Sequence, residues 1–184
     1  MEKFDIVFLD IDGVVATENA HDQAIADWCG DDFDTDDIDW RHKFCEITKE
    51  LGFWPDFNME KWPFERMAVR NIHALSRFKD VRFVISSDWR RGRSVQELTE
   101  LFGIKGLSIR IIDKTRPTED RDDARGQQIK DWLDANADKV NNFVILDDNV
   151  FDILRFFPKN TIAVRPDVGF SGANLTQALL ILKK

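Results

Sequence analysis

In the run FLDIDGVV an apolar stretch ends on Asp10, Ile11, Asp12 and Gly13. Side chains alternate along a strand, so Asp10 and Asp12 leave toward the same side, and Gly13 lets the backbone turn sharply around whatever they hold. Two carboxylates this close repel each other, so one must bind a cation, keep a proton or accept hydrogen bonds. Such a pair is what a carboxylate nucleophile with a neighbouring acid/base requires.

Two further runs end on groups that suit the same chemistry. VRFVISSDWRR leaves its apolar stretch on Ser86 and Ser87, and a hydroxyl there hydrogen-bonds a phosphoryl oxygen without adding negative charge. Ser86, directly after the stretch, is the first choice; Ser87 points the other way, and the choice between them stays open. FVILDDNVFD ends on Asp147 and Asp148, with Asp152 one helical turn on. Magnesium takes carboxylate oxygens and retained waters in an octahedral shell, so Asp10, Asp147 and Asp148 are expected to converge on one ion.

Positioning these groups takes a sheet. Short Val-, Ile- and Phe-rich runs at 6–9, 81–86, 108–112, 143–146 and 161–164 alternate with longer amphipathic segments, the habit of parallel strands joined by helical crossovers. Val95, Leu98, Leu101 and Phe102 repeat at helical spacing before Gly103, which is expected to stop the run. A second helix over about 122–136 places Ile129, Trp132 and Leu133 on one side. A last one, with Asn174 as its N-cap, buries Leu175, Ala178, Leu179 and Leu182. The alternation predicts an α/β sandwich with ligands at the carboxyl ends of the strands. Residues 15–61 are acidic, rich in Trp and Phe and without a clear strand; they read as a small, mostly helical cap inserted after the first strand of a single domain spanning 1–184. Residues 115–123 read as a surface loop.

The formal charge of −8 argues against tight, nonspecific binding to a long polyanion, although a local basic patch would still serve one phosphorylated end. No apolar stretch approaches the length that crosses a bilayer. With a first strand starting near the initiator Met and only Cys29 and Cys45 present, the expected location is cytoplasmic. Asp32, Asp34 and Asp36 alternate as in a calcium loop, but Asp37 stands where glycine is needed and Lys43 where the bidentate Glu belongs. That stretch reads as a solvated acidic face.

Taken together and in this order, the motifs resemble those of the haloacid dehalogenase superfamily, from Phe4 to about Asp152. The resemblance implies a Rossmann-like three-layer α/β sandwich with a parallel sheet. It also implies a magnesium-dependent phosphatase in which Asp10 attacks phosphorus and Asp12 protonates the leaving group and later activates water. Ser86 would hold the phosphoryl group, and Asp10, Asp147, Asp148 and the Asp12 backbone carbonyl would hold the metal. The family's remaining basic residue, normally Lys, falls on Arg125 by position, with Lys130 and Lys114 as alternatives; Arg grips phosphate bidentately and stays charged.

SSDWRR together with RGQQIKDWL and FVILDD resembles the dehalogenase-type domains of Swiss Army Knife RNA-repair proteins. This implies a substrate phosphate on a nucleotide or a nucleic-acid end. From their place at and after the serine motif, Ser87, Arg90, Arg91 and Arg93 are expected substrate contacts, with Trp89 either stacking on the substrate or packed underneath. The competing readings are a phosphatase for a small phosphorylated metabolite and a non-catalytic phosphate-binding module of the receiver type. In receivers the acidic pair comes early and the phosphoacceptor later, the reverse of the order here. Neither a membrane nor a protein partner is expected.

Overall fold

The computed structural model describes residues 3–20, 22–23, 63–116 and 125–183. Strand β1 (Phe4–Leu9) is buried at every position, and a run covered on both faces belongs in the middle of a parallel sheet. Around it lie α1 (Arg66–Ser76), β2 (Val81–Ile85), α2 (Val95–Ile104), β3 (Ile111–Lys114), α3 (Arg125–Ala135), β4 (Val140–Asp147), β5 (Thr161–Ala163) and α4 (Gly172–Leu182). The strands run parallel in the order β3-β2-β1-β4-β5. Succession reverses beside β1, so crossovers depart in opposite directions there and open a crevice at the carboxyl ends of β1 and β4.

Two apolar layers cover the sheet, which gives the three-layer α/β sandwich. Val7, Leu9, Phe83, Ile85, Val144 and Leu146 face α1, α2 and α4. Ile6, Phe8, Val84 and Ile145 face α3 through Ile129 and Trp132, with Phe8 and Trp132 edge to face at 5.4 Å. Burying each such Ile, Leu or Phe side chain stabilises the fold by about 1.5–3 kcal/mol. No helix among the described residues is long and apolar enough to cross a membrane.

Four local features depart from the sequence reading. Helix α1 follows the expected cap and buries Ala68, Ile72 and Leu75; its i, i+4, i+7 spacing is regular but short. Helix α2 runs through Gly103 and ends at Ile104. Gly106, at φ +81°, makes the turn, and Leu107 N–H closes it on Phe102 O at 2.8 Å. Helix α4 starts earlier than expected: Ser171 is its N-cap, and Asn174 is the third helical residue, completing a reciprocal capping box. Strand β3 pairs over Ile111–Lys114, because Leu107 and Ile109 are buried on the way in while polar Asp113 and Lys114 carry the ladder. Residues 24–61 of the expected cap and 117–123 of the expected loop lie outside the described residues.

Candidate active site

The site is a row across the sheet. Leu9 pairs in register with Ile85 and Leu146, and Ile85 with Lys114. The residues that follow these therefore stand side by side: Thr115, Ser86, Asp10 and Asp147. Three of the four N–H groups donate to the neighbouring strand: Thr115 to Ile85 O, Ser86 to Leu9 O and Asp10 to Leu146 O, all at 3.0 Å. Parallel strands in register send equivalent side chains to one face, here the α3 face that receives Phe8, Val84 and Ile145. All four residues are nearly inaccessible, and Asp10 Oδ1, Ser86 Oγ and Thr115 Oγ1 are buried without a hydrogen-bond partner among the described residues. Buried polar atoms are rarely left unpaired, so three orphans in neighbouring register positions mark a place built for a ligand.

Just beyond the row, a tight loop brings in the remaining acids. Ile11 O accepts from the N–H groups of Val14, Val15 and Ala16, and Gly13 N–H reaches Ala16 O at 2.8 Å. Gly13 has φ +70°, and a β-carbon there would stand 2.5 Å from Asp148 Oδ2; the loop and the second acid of β4 meet only because no side chain intervenes. Asp10, Asp147 and Asp148 each offer an oxygen within 4.8 Å of the others.

Among the described residues a single cation answers this cluster. Arg125, the first residue of α3, places Nη1 2.8 Å from Asp10 Oδ2 and 2.7 Å from Asp147 Oδ2. Asp152 fixes the helix start by accepting from Gly126 N–H at 2.6 Å. Burial opposes the charge on Arg125, but Asp10 and Asp147 more than offset it and hold the guanidinium above its ordinary range. One positive charge cannot balance three carboxylates. Burial, and then the charge of Asp10, push Asp147 up to about 8 and Asp148 up to about 6. The excess negative charge and the unpartnered Asp10 Oδ1 fit a hard divalent cation, which takes carboxylate oxygens of this kind.

A model of the HAD domain in Swiss Army Knife RNA repair proteins matches residues 6–175. The chain belongs to this haloacid dehalogenase-like family. It is therefore a HAD-type hydrolase, and the acidic cluster is compatible with the family's use of a metal ion. No curated protein matches the chain. A haloacid dehalogenase-like hydrolase from Streptococcus pneumoniae is similar to it at 11% identity and a TM-score of 0.46, over 96% of this chain and 90% of that one.

Within the HAD domain the other expected site residues fall in different places. Ser86 joins the row. Ser87 instead caps the short 3₁₀ turn Asp88–Arg90, its Oγ accepting from Trp89 N–H at 3.4 Å. Lys114 donates to the carbonyls of Arg90 and Arg93, and Lys130 pairs with Asp134 on the exposed side of α3, so of the three basic residues only Arg125 meets the acids. Arg91 is exposed and bound to Asp88 at 2.9 Å. Arg90 is not brought to the mouth. It is 2% exposed and donates to Ser86 O at 2.8 Å, Thr115 O at 3.0 Å and Gln128 Oε1 at 2.6 Å, tying together the ends of β2, β3 and the first turns of α3.

Asp12 lies past the end of the ladder. Loss of hydration raises its carboxyl above the usual range; the Trp89 indole opposes that shift and the charge of Asp10 adds to it. Sequence reasoning passed over Thr115, whose hydroxyl extends the row. The available signal was its place directly after a strand, masked by the polar residues that end β3.

Proposed function

We propose that this HAD-type hydrolase is a magnesium-dependent phosphomonoesterase that works through an aspartyl-phosphate on Asp10. The observation that carries the reading is the division of labour at that carboxylate: Oδ2 is pinned by Arg125, while Oδ1, like the neighbouring Ser86 hydroxyl, is buried with no partner among the described residues. Asp10 forms the bond to phosphorus as the ester P–O bond breaks, and Asp12 gives its proton to the departing oxygen. Asp12 then takes a proton from water, whose oxygen attacks the aspartyl-phosphate and frees Asp10. Ser86 donates to a phosphoryl oxygen, and Arg125 balances charge between nucleophile and Asp147. Asp10, Asp147, Asp148 and the Asp12 carbonyl would hold the ion. When bound, magnesium supplies positive charge against the repulsion between carboxylate and phosphate dianion.

For the substrate, we read a phosphate on a nucleotide or a nucleic-acid end. The family's description as a domain of RNA repair proteins supports this, and exposed Arg91 beside the serine motif suits a second anionic group. The charge of −8 favours a terminal phosphate over an extended track.

The test is phosphate release from 3′- and 5′-nucleotides, phosphorylated oligonucleotides and sugar phosphates, with magnesium and with chelator, using Asp10→Asn as control and Asp12→Asn as the second variant. Magnesium-dependent release from nucleotides or ends, lost in Asp10→Asn and mostly lost in a folded Asp12→Asn, is expected. Release from sugar phosphates alone would move the function to metabolism, and no release from anything would leave a binding module.

A further inference from the structure

The tryptophan of SSDWRR has a partner that bears on the reaction. Trp89 is 0% exposed, and its Nε1 lies 3.1 Å from both carboxylate oxygens of Asp12. A buried indole N–H needs an acceptor, but a backbone carbonyl would satisfy it as well. The ring is anchored on several sides: Phe64 at 5.7 Å, Phe102 at 6.2 Å and the Lys105 ammonium at 5.6 Å, and the Trp89 backbone N–H donates to Ser87 Oγ. Asp12, by contrast, is exposed on a loop beyond the last sheet pairing. A fixed donor thus meets the carboxylate of a residue that lies outside the sheet.

We propose that Trp89 is the positioning residue for the acid step. Its single N–H, shared by both oxygens, sets the direction in which Asp12 presents its carboxyl, while the remaining lone-pair positions stay open to the substrate. The inference rests on the phosphomonoesterase reading and concerns one event in it. As Asp10 bonds to phosphorus and the ester P–O bond breaks, the proton on Asp12 passes to the departing oxygen, leaving an Asp12 carboxylate and a neutral alcohol. An alkoxide leaving group depends on that proton; a nitrophenolate departs without it. Through Arg90, the next residue in the chain, the same turn also holds the carbonyl of Ser86, so one short motif aligns both the hydroxyl and the acid.

Trp89→Phe keeps an aromatic ring and removes the N–H. The quantity to measure is kcat/KM, which covers steps only through phosphoryl transfer to Asp10, for the best alkyl phosphate ester of the substrate panel and for p-nitrophenyl phosphate. A loss of about 10–100-fold is expected for the alkyl ester, a part of the ~10²–10⁴-fold typical of general acid catalysis, with less than about threefold for the aryl ester. Phe102→Leu, which loosens the same packing while keeping the N–H, should not separate the two substrates. Equal losses on both esters in Trp89→Phe, no loss on either, or an unmodified protein that hydrolyses only the aryl ester would overturn the inference. Should Trp89→Phe fail to fold, benzothienylalanine at position 89, which has the indole outline without the N–H, carries the same comparison. Failure of the unmodified protein to hydrolyse either ester would instead defeat the phosphomonoesterase reading itself.

Discussion

One nitrogen, Arg125 Nη1, bridges Asp10 Oδ2 and Asp147 Oδ2 at 2.8 and 2.7 Å, joining the end of β1 to the end of β4 across the crevice where the strand order reverses. A guanidinium used through one nitrogen is acting as a point charge, which an ammonium can imitate. Arg125→Lys should therefore keep activity within about tenfold, or about 1.4 kcal/mol in barrier. Arg125→Met leaves two buried carboxylates facing each other; a metal-free loss of about 3–5 kcal/mol is expected, partly recovered with magnesium. Denaturant titration with and without the ion checks this, and a Met variant as stable as the parent would refute it.

Acidity and the ion should be coupled. Asp147 is pushed up to about 8 and Asp148 up to about 6, whereas unfolded chains ionise such groups near pH 4. Between those values the folded state holds protons that the unfolded state has released. Their contribution to stability is full below about pH 4 and is lost as pH rises toward 8. Metal binding needs the ionised carboxylates and so strengthens over the same interval. Metal-free Tm should fall from pH 5 to pH 8, by about 2–4 °C for each kcal/mol lost, and the rise in Tm on adding magnesium should be larger at pH 8. Equal increments at both pH values would contradict the assignment.

Asp10, Ser86 and Asp147 were legible because each follows an apolar run, and register in a parallel sheet turns a shared place after a strand into a shared place in space. Arg125 was legible by position, yet only the fold separates it from Lys114 and Lys130, since the path of α3 decides which side chain reaches the acids. Arg90 was not legible. A guanidinium among other arginines reads as solvated, and nothing in the sequence shows that it donates to the carbonyls of Ser86 and Thr115 at the strand ends. The cap of α4 was ambiguous for a related reason: Ser171 and Asn174 both suit an N-cap, and the capping box uses both.

Gly13 is a position where the backbone and the acidic cluster impose the same demand. Alanine there is strained at φ +70°, at roughly 1–2 kcal/mol. Its β-carbon would also fall within 2.8 Å of Asp148 Cβ, a clash that side-chain rotation cannot relieve. Gly13→Ala should thus weaken magnesium binding by more than about tenfold, or 1.4 kcal/mol, beyond its cost in stability. Calorimetric titration of magnesium decides it: unchanged affinity would mean that Asp148 is not a ligand.

Arg90 separates a substrate contact from a structural clamp. If it met substrate, Arg90→Met would raise KM and leave stability nearly unchanged. In the observed geometry the substitution strips a donor from the buried Ser86 and Thr115 carbonyls and from Gln128. Each buried carbonyl left without its donor costs about 1–3 kcal/mol, so a loss of at least about 2 kcal/mol is expected from Ser86 and Thr115 together. Arg90→Lys, with a compact ammonium in place of the planar fork, cannot reach all three acceptors and should recover only part of that loss. Activity at saturating substrate should fall as well, because Ser86 carries both the clamped carbonyl and the hydroxyl that we propose donates to the phosphoryl group. Chemical denaturation together with kcat and KM distinguishes the two roles: a raised KM with parental stability would return Arg90 to the substrate.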